Sequence, residues 1–205
     1  MNIGIFGGTF NPVHKGHENC LVSVMAQAGL DRVIIMPDRI PPHKEAPDLA
    51  SSEDRLNMCR LAFSDIKGTE ISDWELRQEG KSYSVITLRH LKAQYPEDKL
   101  FFIMGGDMLL SFEAWYNYRE ILTLAALVCV ARSREDIMAI EQKAEELRAI
   151  GGDIIIVQTE PFEISSSEIR DRLKKNLDCS CYLNKNVVQY IVDKNLYNRG
   201  FPSGR

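Results

Sequence analysis

The stretch "NIGIFGGTFNPVHKGH", residues 2–17, predicts the fold more clearly than any other part of the chain. A short apolar run ends in two glycines, a proline follows, and a helical pattern begins near Gly16. Apolar runs and helical patterns then alternate, with strands expected at residues 2–6, 32–36, 69–76, 100–104, 126–131 and 153–158. This alternation predicts an α/β fold with a doubly wound, mainly parallel sheet.

The expected helices have recognisable ends. The helix over residues 16–28 should end at Gly29, because glycine readily adopts a left-handed cap. Two Ser-x-x-Asp patterns, at residues 51–54 and 133–136, predict the starts of two further helices. A small helical part is expected at the carboxyl end of the chain.

Composition limits the class of protein. The chain has 205 residues, 44% of them hydrophobic and 26% charged, with a net charge of −4. We expect one domain over residues 1–197, followed by a disordered tail at 198–205. The net charge argues against nucleic-acid binding through bulk positive charge, and no apolar run is long enough to span a membrane. Five cysteines without paired spacing favour a reducing cytoplasm.

Two expected strands end in a glycine pair, Gly7-Gly8 and Gly105-Gly106. If these strands are the neighbours at which the strand order reverses, both pairs face one crevice, where open sheets bind ligands. Glycine there lets backbone N–H groups approach a phosphate without a side chain between them. Each pair taken alone is more often a tight turn.

His14 and His17 are three residues apart at the start of a helix, so they share one face. A helix start carries partial positive charge and unpaired N–H groups, and two imidazoles add further donors for an anion. A zinc site is a weaker alternative because no third ligand has suitable spacing. A histidine that merely caps the helix is the other alternative. His90 lies in an ordinary helical pattern and is interpreted as structural.

Two further segments carry donors and cations. In "PDRIPPHK", residues 37–44, the prolines stiffen the loop that presents His43 and Lys44. In "EISSSEIR", residues 163–170, a capping box precedes Arg170. The second segment alone is more often just a well-capped helix, but beside the first motif it predicts a second phosphate clamp.

Together, "GGTFNPVHKGH" and "ISSSEIR" resemble the two motifs of nucleotidyltransferases that use a His-x-Gly-His element. Four more segments resemble the bacterial nicotinate-nucleotide adenylyltransferases: "PPHK" (41–44), "GKSYSVITL" (80–88), "GGDMLLSFEAWYNY" (105–118) and "YIVDKNLY" (190–197). The resemblance runs in order from Asn2 to about Tyr197. Asn11 stands where that family more usually has Asp, and Ile86 where it often has a polar or acidic residue.

The resemblance implies a Rossmann-like nucleotidyltransferase fold and transfer of the adenylyl group of ATP to nicotinate mononucleotide, with release of pyrophosphate, in NAD biosynthesis. It implies Mg²⁺ bound with ATP, and no metal site built by the protein. It places ATP on Gly7, Gly8, Thr9, Phe10, His14, His17, Gly105, Asp107, Ser165, Ser166 and Arg170, of which His14, His17 and Arg170 are catalytic. It places nicotinate mononucleotide on His43, Lys44, Thr87, Trp115, Tyr116 and Arg132, although Arg132 and Arg134 are weaker candidates, for the phosphate of either substrate.

Four alternative functions fit the sequence less well. A pantetheine-phosphate adenylyltransferase or a cytidylyltransferase would share the histidine and serine motifs but not "PPHK" or Trp115-Tyr116. A nucleotide-binding regulator without turnover would not need the full set of cations. A dehydrogenase is the least favoured alternative, because the glycines do not fit G-x-G-x-x-G and no dehydrogenase pattern has two histidines at this place. The expected partners are the two substrates, with neither nucleic acid nor membrane, and a homo-oligomer stays open.

Overall fold

The computed structural model describes residues 1–39, 48–131, 137–160, 162 and 164–197. Its six strands are β1 (Asn2–Gly8), β2 (Arg32–Pro37), β3 (Thr69–Ile71), β4 (Lys99–Gly105), β5 (Ala126–Ala131) and β6 (Ile154–Gln158). All five pairings between them are parallel, in the order β3-β2-β1-β4-β5-β6. The predicted doubly wound parallel α/β sheet is therefore confirmed.

Helices cover both faces of this sheet. In chain order they are α1 (Lys15–Gln27), α2 (Ser52–Phe63), α3 (Trp74–Arg77), α4 (Ser84–Gln94), α5 (Gly106–Leu110), α6 (Tyr118–Leu124), α7 (Ile137–Ala149), α8 (Ser166–Lys174) and α9 (Lys185–Asp193). Buried side chains of α1, α2, α8 and α9 pack on one face, and those of α4, α5, α6 and α7 pack on the other. Among the described residues, no helix has the length and apolarity needed to cross a bilayer.

The central strands are apolar on both sides because both of their faces are covered. In β1, for example, Ile3 and Ile5 belong to one buried cluster and Phe6 belongs to the other. Gly4 lies between them, and a Cβ there would come within 2.7 Å of the Leu30 side chain. The side chains of Leu30, after α1, and of Val33, on β2, therefore leave no room for a larger residue there.

The predicted strand at residues 69–76 is wrong over its second half. The strand ends at Ile71, and α3 begins at Trp74. The hydroxyl of Ser72 accepts the Trp74 N–H at 3.3 Å, which turns the chain out of the sheet. Short polar side chains that bond to nearby backbone in this way favour turns over strands.

Two predicted helix ends are confirmed, and α8 and α9 form the expected helical part near the carboxyl end. Gly29 has φ +60°, the left-handed conformation expected after α1. The Ser51 hydroxyl accepts the Asp54 N–H at 3.0 Å at the start of α2. The predicted helix start at residues 133–136 and the predicted tail at 198–205 lie outside the described residues.

Side chains from α1 and α7 form hydrogen bonds with the outer backbone edge of β6. Parallel pairing with β5 leaves the backbone groups of Ile154, Ile156 and Gln158 pointing outward. The guanidinium of Arg148 donates to the Ile154 carbonyl at 2.6 Å, and the amide of Gln27 donates to the Gln158 carbonyl at 2.9 Å. Two of these three outward carbonyls therefore have partners within the chain.

β1 and β4 are neighbours in the middle of the sheet. After β1 the chain adds β2 and β3 on one side, and after β4 it adds β5 and β6 on the other. This is the point at which the strand order reverses, so the predicted condition that these two strands are neighbours there is confirmed, and Gly7-Gly8 and Gly105-Gly106 lie at the carboxyl ends of adjacent strands. We call the space between the carboxyl ends of β1 and β4 the crevice.

Candidate active site

The loop from Gly8 to His14 joins β1 to α1 along one side of the crevice. Phe10 has φ +47°, a conformation that a bulky residue rarely adopts. Its ring is 2% exposed and packs edge-on against Phe6 and Phe63, at centroid distances of 5.5 and 6.2 Å. Packing of the ring thus holds a strained backbone, an arrangement common where a loop binds a ligand.

His14 and His17 are in contact at the start of α1. Their ring centroids are 3.8 Å apart, and His14 is the N-cap residue. The backbone N–H of His14 donates to Nδ1 of His17 at 3.1 Å. Because Nδ1 accepts this bond, the neutral His17 ring carries its proton on Nε2, which makes Nε2–H the donor that this ring can offer to a ligand.

The segment predicted to be the second phosphate clamp, "EISSSEIR", forms hydrogen bonds with the loop that precedes His14. Arg170 on α8 donates to the carbonyl of Asn11 at 2.8 Å, and the Ser166 hydroxyl donates to the carbonyl of Pro12 at 3.0 Å. Ser165 caps α8 by accepting the Glu168 N–H at 3.2 Å. The structure therefore brings "ISSSEIR" against "GGTFNPVHKGH", although about 150 residues separate them in sequence.

A buried arginine holds the loop after β1 through hydrogen bonds to backbone carbonyls. Arg55 on α2 is fully buried and donates to the carbonyls of Thr9 at 2.8 Å and Ala50 at 3.3 Å. Asp38, which follows β2, lies 3.4 Å from the guanidinium and also accepts the Thr9 hydroxyl at 3.0 Å. Burial lowers the pKa of Arg55, and the charge of Asp38 raises it. This network fixes the end of β1 against the end of β2.

Gly105 and Asp107 lie on the opposite side of the crevice, where β4 leads into α5. A Cβ on Gly105 would come within 2.7 Å of the Asp107 carboxylate, so that carboxylate lies directly over the glycine. Asp107 is exposed and can therefore reach a ligand in the crevice.

Thr87 lies in the first turn and a half of α4 and is 1% exposed. Its hydroxyl donates to the Glu75 carboxylate at 2.5 Å, and its backbone N–H donates to the Tyr83 carbonyl at 3.4 Å. Burial raises the pKa of Glu75, while bonds from Thr87 and Ser82 lower it. The N–H groups with no helical partner at this end of α4 precede Thr87 in the chain.

Trp115 and Tyr116 lie between α5 and α6 and differ in exposure. The Trp115 ring packs against Phe112 at a centroid distance of 5.5 Å and against Phe102 at 5.9 Å. The Tyr116 ring is 56% exposed and lies 5.1 Å from the ring of Tyr83. The two tyrosines join the start of α4 to the segment before α6.

The other predicted site residues, His43, Lys44, Arg132 and Arg134, lie outside the described residues. Within the described ranges, no three His, Cys, Asp or Glu side chains are grouped so as to hold a metal ion. The ring of His90 on α4, a residue interpreted as structural, stacks on the ring of Trp74 on α3, and the two ring centroids are 4.3 Å apart.

Sequence reasoning missed Arg55, Asp38 and Glu75. Arg55 could have been suspected, because a charged residue interrupts the buried side of α2 next to Leu56 and Cys59. Asp38 lies within the quoted "PDRIPPHK", where only the cations that follow it were predicted to be site residues. Nothing in the sequence alone indicates that Glu75 lies against Thr87.

Comparison with known proteins agrees with this arrangement. A family model described as "Cytidylyltransferase-like" matches residues 5–172. A protein of Shewanella baltica (strain OS223), named "Probable nicotinate-nucleotide adenylyltransferase", is 36% identical over 96% of this chain and 99% of its own length. A Fusobacterium nucleatum protein of the same name is 38% identical over 93% of this chain and 97% of its own length.

The chain belongs to the nicotinate-nucleotide adenylyltransferase family. The resemblance stated from the sequence motifs is thereby confirmed. Nucleotidyltransferases of this kind generally use a divalent metal ion together with ATP.

Solved structures of the nicotinate-nucleotide adenylyltransferase family share the fold. Plasmodium falciparum nicotinic acid mononucleotide adenylyltransferase, complexed with APC, superposes with a TM-score of 0.77 at 21% identity, covering 96% of each chain. The same enzyme complexed with NaAD gives the same TM-score and identity, and covers 96% of this chain and 97% of that one. These comparisons confirm the Rossmann-like α/β architecture.

Proposed function

We propose that this protein transfers the adenylyl group of ATP to nicotinate mononucleotide, producing nicotinate adenine dinucleotide and pyrophosphate in NAD biosynthesis. The observation that carries the proposal is the bonding of Arg170 and Ser166 to the Asn11–Pro12 carbonyls. This bonding brings the Arg170 guanidinium on α8 against the loop that leads into the two histidines of α1. The relatives named nicotinate-nucleotide adenylyltransferase support the choice of substrate.

The reaction needs alignment and charge stabilisation rather than a general base. An oxygen of the mononucleotide phosphate, already ionised at neutral pH, forms a bond to the α-phosphorus of ATP. The bond from that phosphorus to the oxygen bridging to the β-phosphate breaks, and pyrophosphate leaves with the electron pair. Positioned donors and cations are the main source of rate in such transfers.

The histidines are placed to act on the α-phosphate. His14 and His17 lie at the N-terminal end of α1, where the helix dipole also favours an anion. Nε2–H of His17 donates to the α-phosphate or its bridging oxygen, and the backbone at Gly7, Gly8, Thr9 and Phe10 lines the same phosphate. Asp107 accepts a hydrogen bond from the ATP ribose beside Gly105.

The leaving pyrophosphate is held at the start of α8. Arg170 and Ser166 use one bond each to hold the Asn11–Pro12 segment, and the guanidinium has further N–H donors for the β- and γ-phosphates. Ser165 adds its hydroxyl. Mg²⁺ bound with ATP would supply positive charge that offsets the charge of the triphosphate, beside Ser165, Ser166 and Arg170.

The acceptor lies on the side of α4 and α6. Trp115 stacks on the pyridine ring, and N–H groups near Thr87 and Tyr116 bind its carboxylate. His43, Lys44 and Arg132 bind the mononucleotide phosphate. The segment with His43 and Lys44 joins Arg39 to Asp48, and Arg55 and Asn11 bond to residues on both sides of it.

Pyrophosphate release tests the proposal. ATP or CTP is offered with nicotinate mononucleotide, nicotinamide mononucleotide or phosphopantetheine as acceptor. We expect rapid release only with ATP and the first acceptor. Release with phosphopantetheine, or with CTP, would assign the protein to another branch of the superfamily. Tight ATP binding without release from any acceptor would favour a regulator.

A further inference from the structure

A side chain in the first turn of α6 bonds to α4 instead of capping its own helix. Asn117, the N-cap residue of α6, has φ +53° and makes no cap bond with its side chain. Glu120 occupies the third helical position, from which a glutamate commonly reaches back to the N-cap backbone. Its carboxylate instead accepts two bonds from Arg89 on α4, from Nε at 2.6 Å and from Nη2 at 2.5 Å.

The two bonds form a fork, because each carboxylate oxygen of Glu120 accepts from a different nitrogen of Arg89. The bonds from Arg89 lower the pKa of Glu120, so the carboxylate is ionised at neutral pH. A fork of this kind fixes orientation as well as distance. Both side chains are partly exposed, and exposed pairs add little to the stability of a fold. The effect of the pair should therefore lie in the placement of α6.

Apolar packing alone leaves that placement loose. Leu88 on α4 and Ile121 on α6 belong to the same buried cluster, which holds the two helices in contact. Apolar contact has no preferred direction, so it does not by itself fix how far one helix slides or turns against the other. The directional contact between these two helices is the fork of Arg89 and Glu120.

The pair lies where the acceptor carboxylate is expected to bind. Arg89 follows Thr87 by two residues, and Glu120 follows Tyr116 by four. The ring of Tyr116 also meets the ring of Tyr83, at the start of α4, at a centroid distance of 5.1 Å. A carboxylate that accepts N–H groups from both segments needs them at one separation. The fork thus joins the two helices close to both sets of donors.

We propose that Arg89 and Glu120 are positioning residues that set the separation between the starts of α4 and α6, and thereby the fit of the acceptor carboxylate. The inference rests on the proposed adenylyl transfer. Neither side chain touches the reacting atoms, and each acts through the backbone of its own helix. The pair should favour the acid over the amide, because only a carboxylate can accept from both sides.

Arg89→Met keeps most of the side-chain stem, removes the donors and tests this role. Loss of one exposed pair corresponds to about a threefold effect. We expect KM for nicotinate mononucleotide to rise about threefold, with kcat and KM for ATP near wild type. The ratio of kcat/KM for the acid to that for the amide should fall by the same factor. Lys99→Met is the control, because it removes an exposed pair with Asp153 at the amino ends of β4 and β6, away from the crevice. It should change neither KM nor the ratio.

A double-mutant cycle separates a joint role from two independent ones. Glu120→Gln should reproduce the kinetics of Arg89→Met, and the double variant should be no worse than either single variant. The Glu120 amide donates to the Asn117 carbonyl at 2.9 Å in the first turn of α6. Its hydrogen exchange, measured without substrates, should accelerate in Arg89→Met and not in Lys99→Met.

The two readouts fail separately. If wild-type protein makes no dinucleotide, the proposed function fails, and exchange at the Glu120 amide still decides whether the pair holds α6. An unchanged ratio of acid to amide in Arg89→Met would overturn the inference, as would unchanged exchange at Glu120. Effects of the two single variants that simply add in the double variant would overturn it as well.

Discussion

The backbone amide of His14 determines what the His17 ring can do. Because that amide donates to Nδ1, a proton cannot occupy Nδ1 without breaking the bond, and the ring is kept as an Nε2–H donor. A catalytic donor whose tautomer is fixed by its neighbour needs no rearrangement as charge develops on the phosphate. The same bond caps α1, so one contact serves the helix and the site.

His17→Ala should therefore lower kcat by roughly a hundredfold or more, the usual effect of losing one preorganised donor. Its effect on ATP affinity should be much smaller, because the donor matters most in the transition state. Steady-state kinetics and ATP titration measure the two effects. His90→Ala is the control, since that ring stacks on Trp74 and should affect stability alone. A His17→Ala variant with kcat near wild type would reduce His17 to a helix cap.

α3 and α4 are joined by the partly buried carboxylate of Glu75. It accepts the Thr87 hydroxyl at 2.5 Å, which fixes the start of α4 where the acceptor is expected to bind. Burial raises the pKa of Glu75, so the folded state holds this proton more tightly than the unfolded state. Its ionisation therefore reduces stability as pH rises from the ordinary carboxyl pKa to the raised one.

Glu75→Gln removes that ionisation while keeping an oxygen to accept from Thr87. We expect the free energy of unfolding of Glu75→Gln, relative to wild type, to increase as pH rises above the ordinary carboxyl pKa and to level off once Glu75 is ionised in the folded protein. Urea unfolding at several pH values measures this difference. Glu97→Gln, at an exposed site, should show no such trend. A pH-independent difference for Glu75→Gln would mean that Glu75 titrates normally.

The starts of α4 and α6 together are expected to select the acceptor. Backbone N–H groups there can donate to the nicotinate carboxylate, whereas the NH₂ group of nicotinamide would face them as a second donor. This mismatch should lower kcat/KM for the amide by roughly a hundredfold or more. We therefore expect strong preference for nicotinate mononucleotide over nicotinamide mononucleotide in parallel kinetic runs. Trp115→Ala should weaken both while leaving much of the ratio intact. Comparable kcat/KM values for the two acceptors would refute this assignment.

The elements could be predicted from sequence as far as local pattern decides them. The apolar runs of β1 and β4 and the caps at Gly29 and Ser51 follow from neighbouring residues. The second half of the run at 69–76 could not, because the Ser72 hydroxyl ends the strand. Site residues in motifs were identified for the same local reason. Arg55 acts through contacts between distant parts of the chain, which no local pattern reveals.

At the scale of the whole molecule, the reversal of strand order explains why the motifs converge. β1 and β4 point their carboxyl ends to one crevice, and α8 reaches it from the face that also carries α1, α2 and α9. The site therefore depends on the sheet order rather than on any single segment. Residues as far apart in sequence as Thr9 and Asp38 become neighbours only when the central strands pair in this order.

The side chains bonded to the β6 edge bear on self-association. An open edge invites another chain to add a strand, which is a route to aggregation. Here an incoming strand would first have to displace Arg148 and Gln27 from the two carbonyls that they occupy. We expect the double variant Arg148→Ala, Gln27→Ala to scatter more light on concentration or mild heating than Lys175→Ala, which removes one exposed charge elsewhere. Equal scattering by the double variant and by Lys175→Ala would mean that Arg148 and Gln27 do not protect the β6 edge from pairing with another chain. Any homo-oligomer of this protein should accordingly assemble through a surface other than β6.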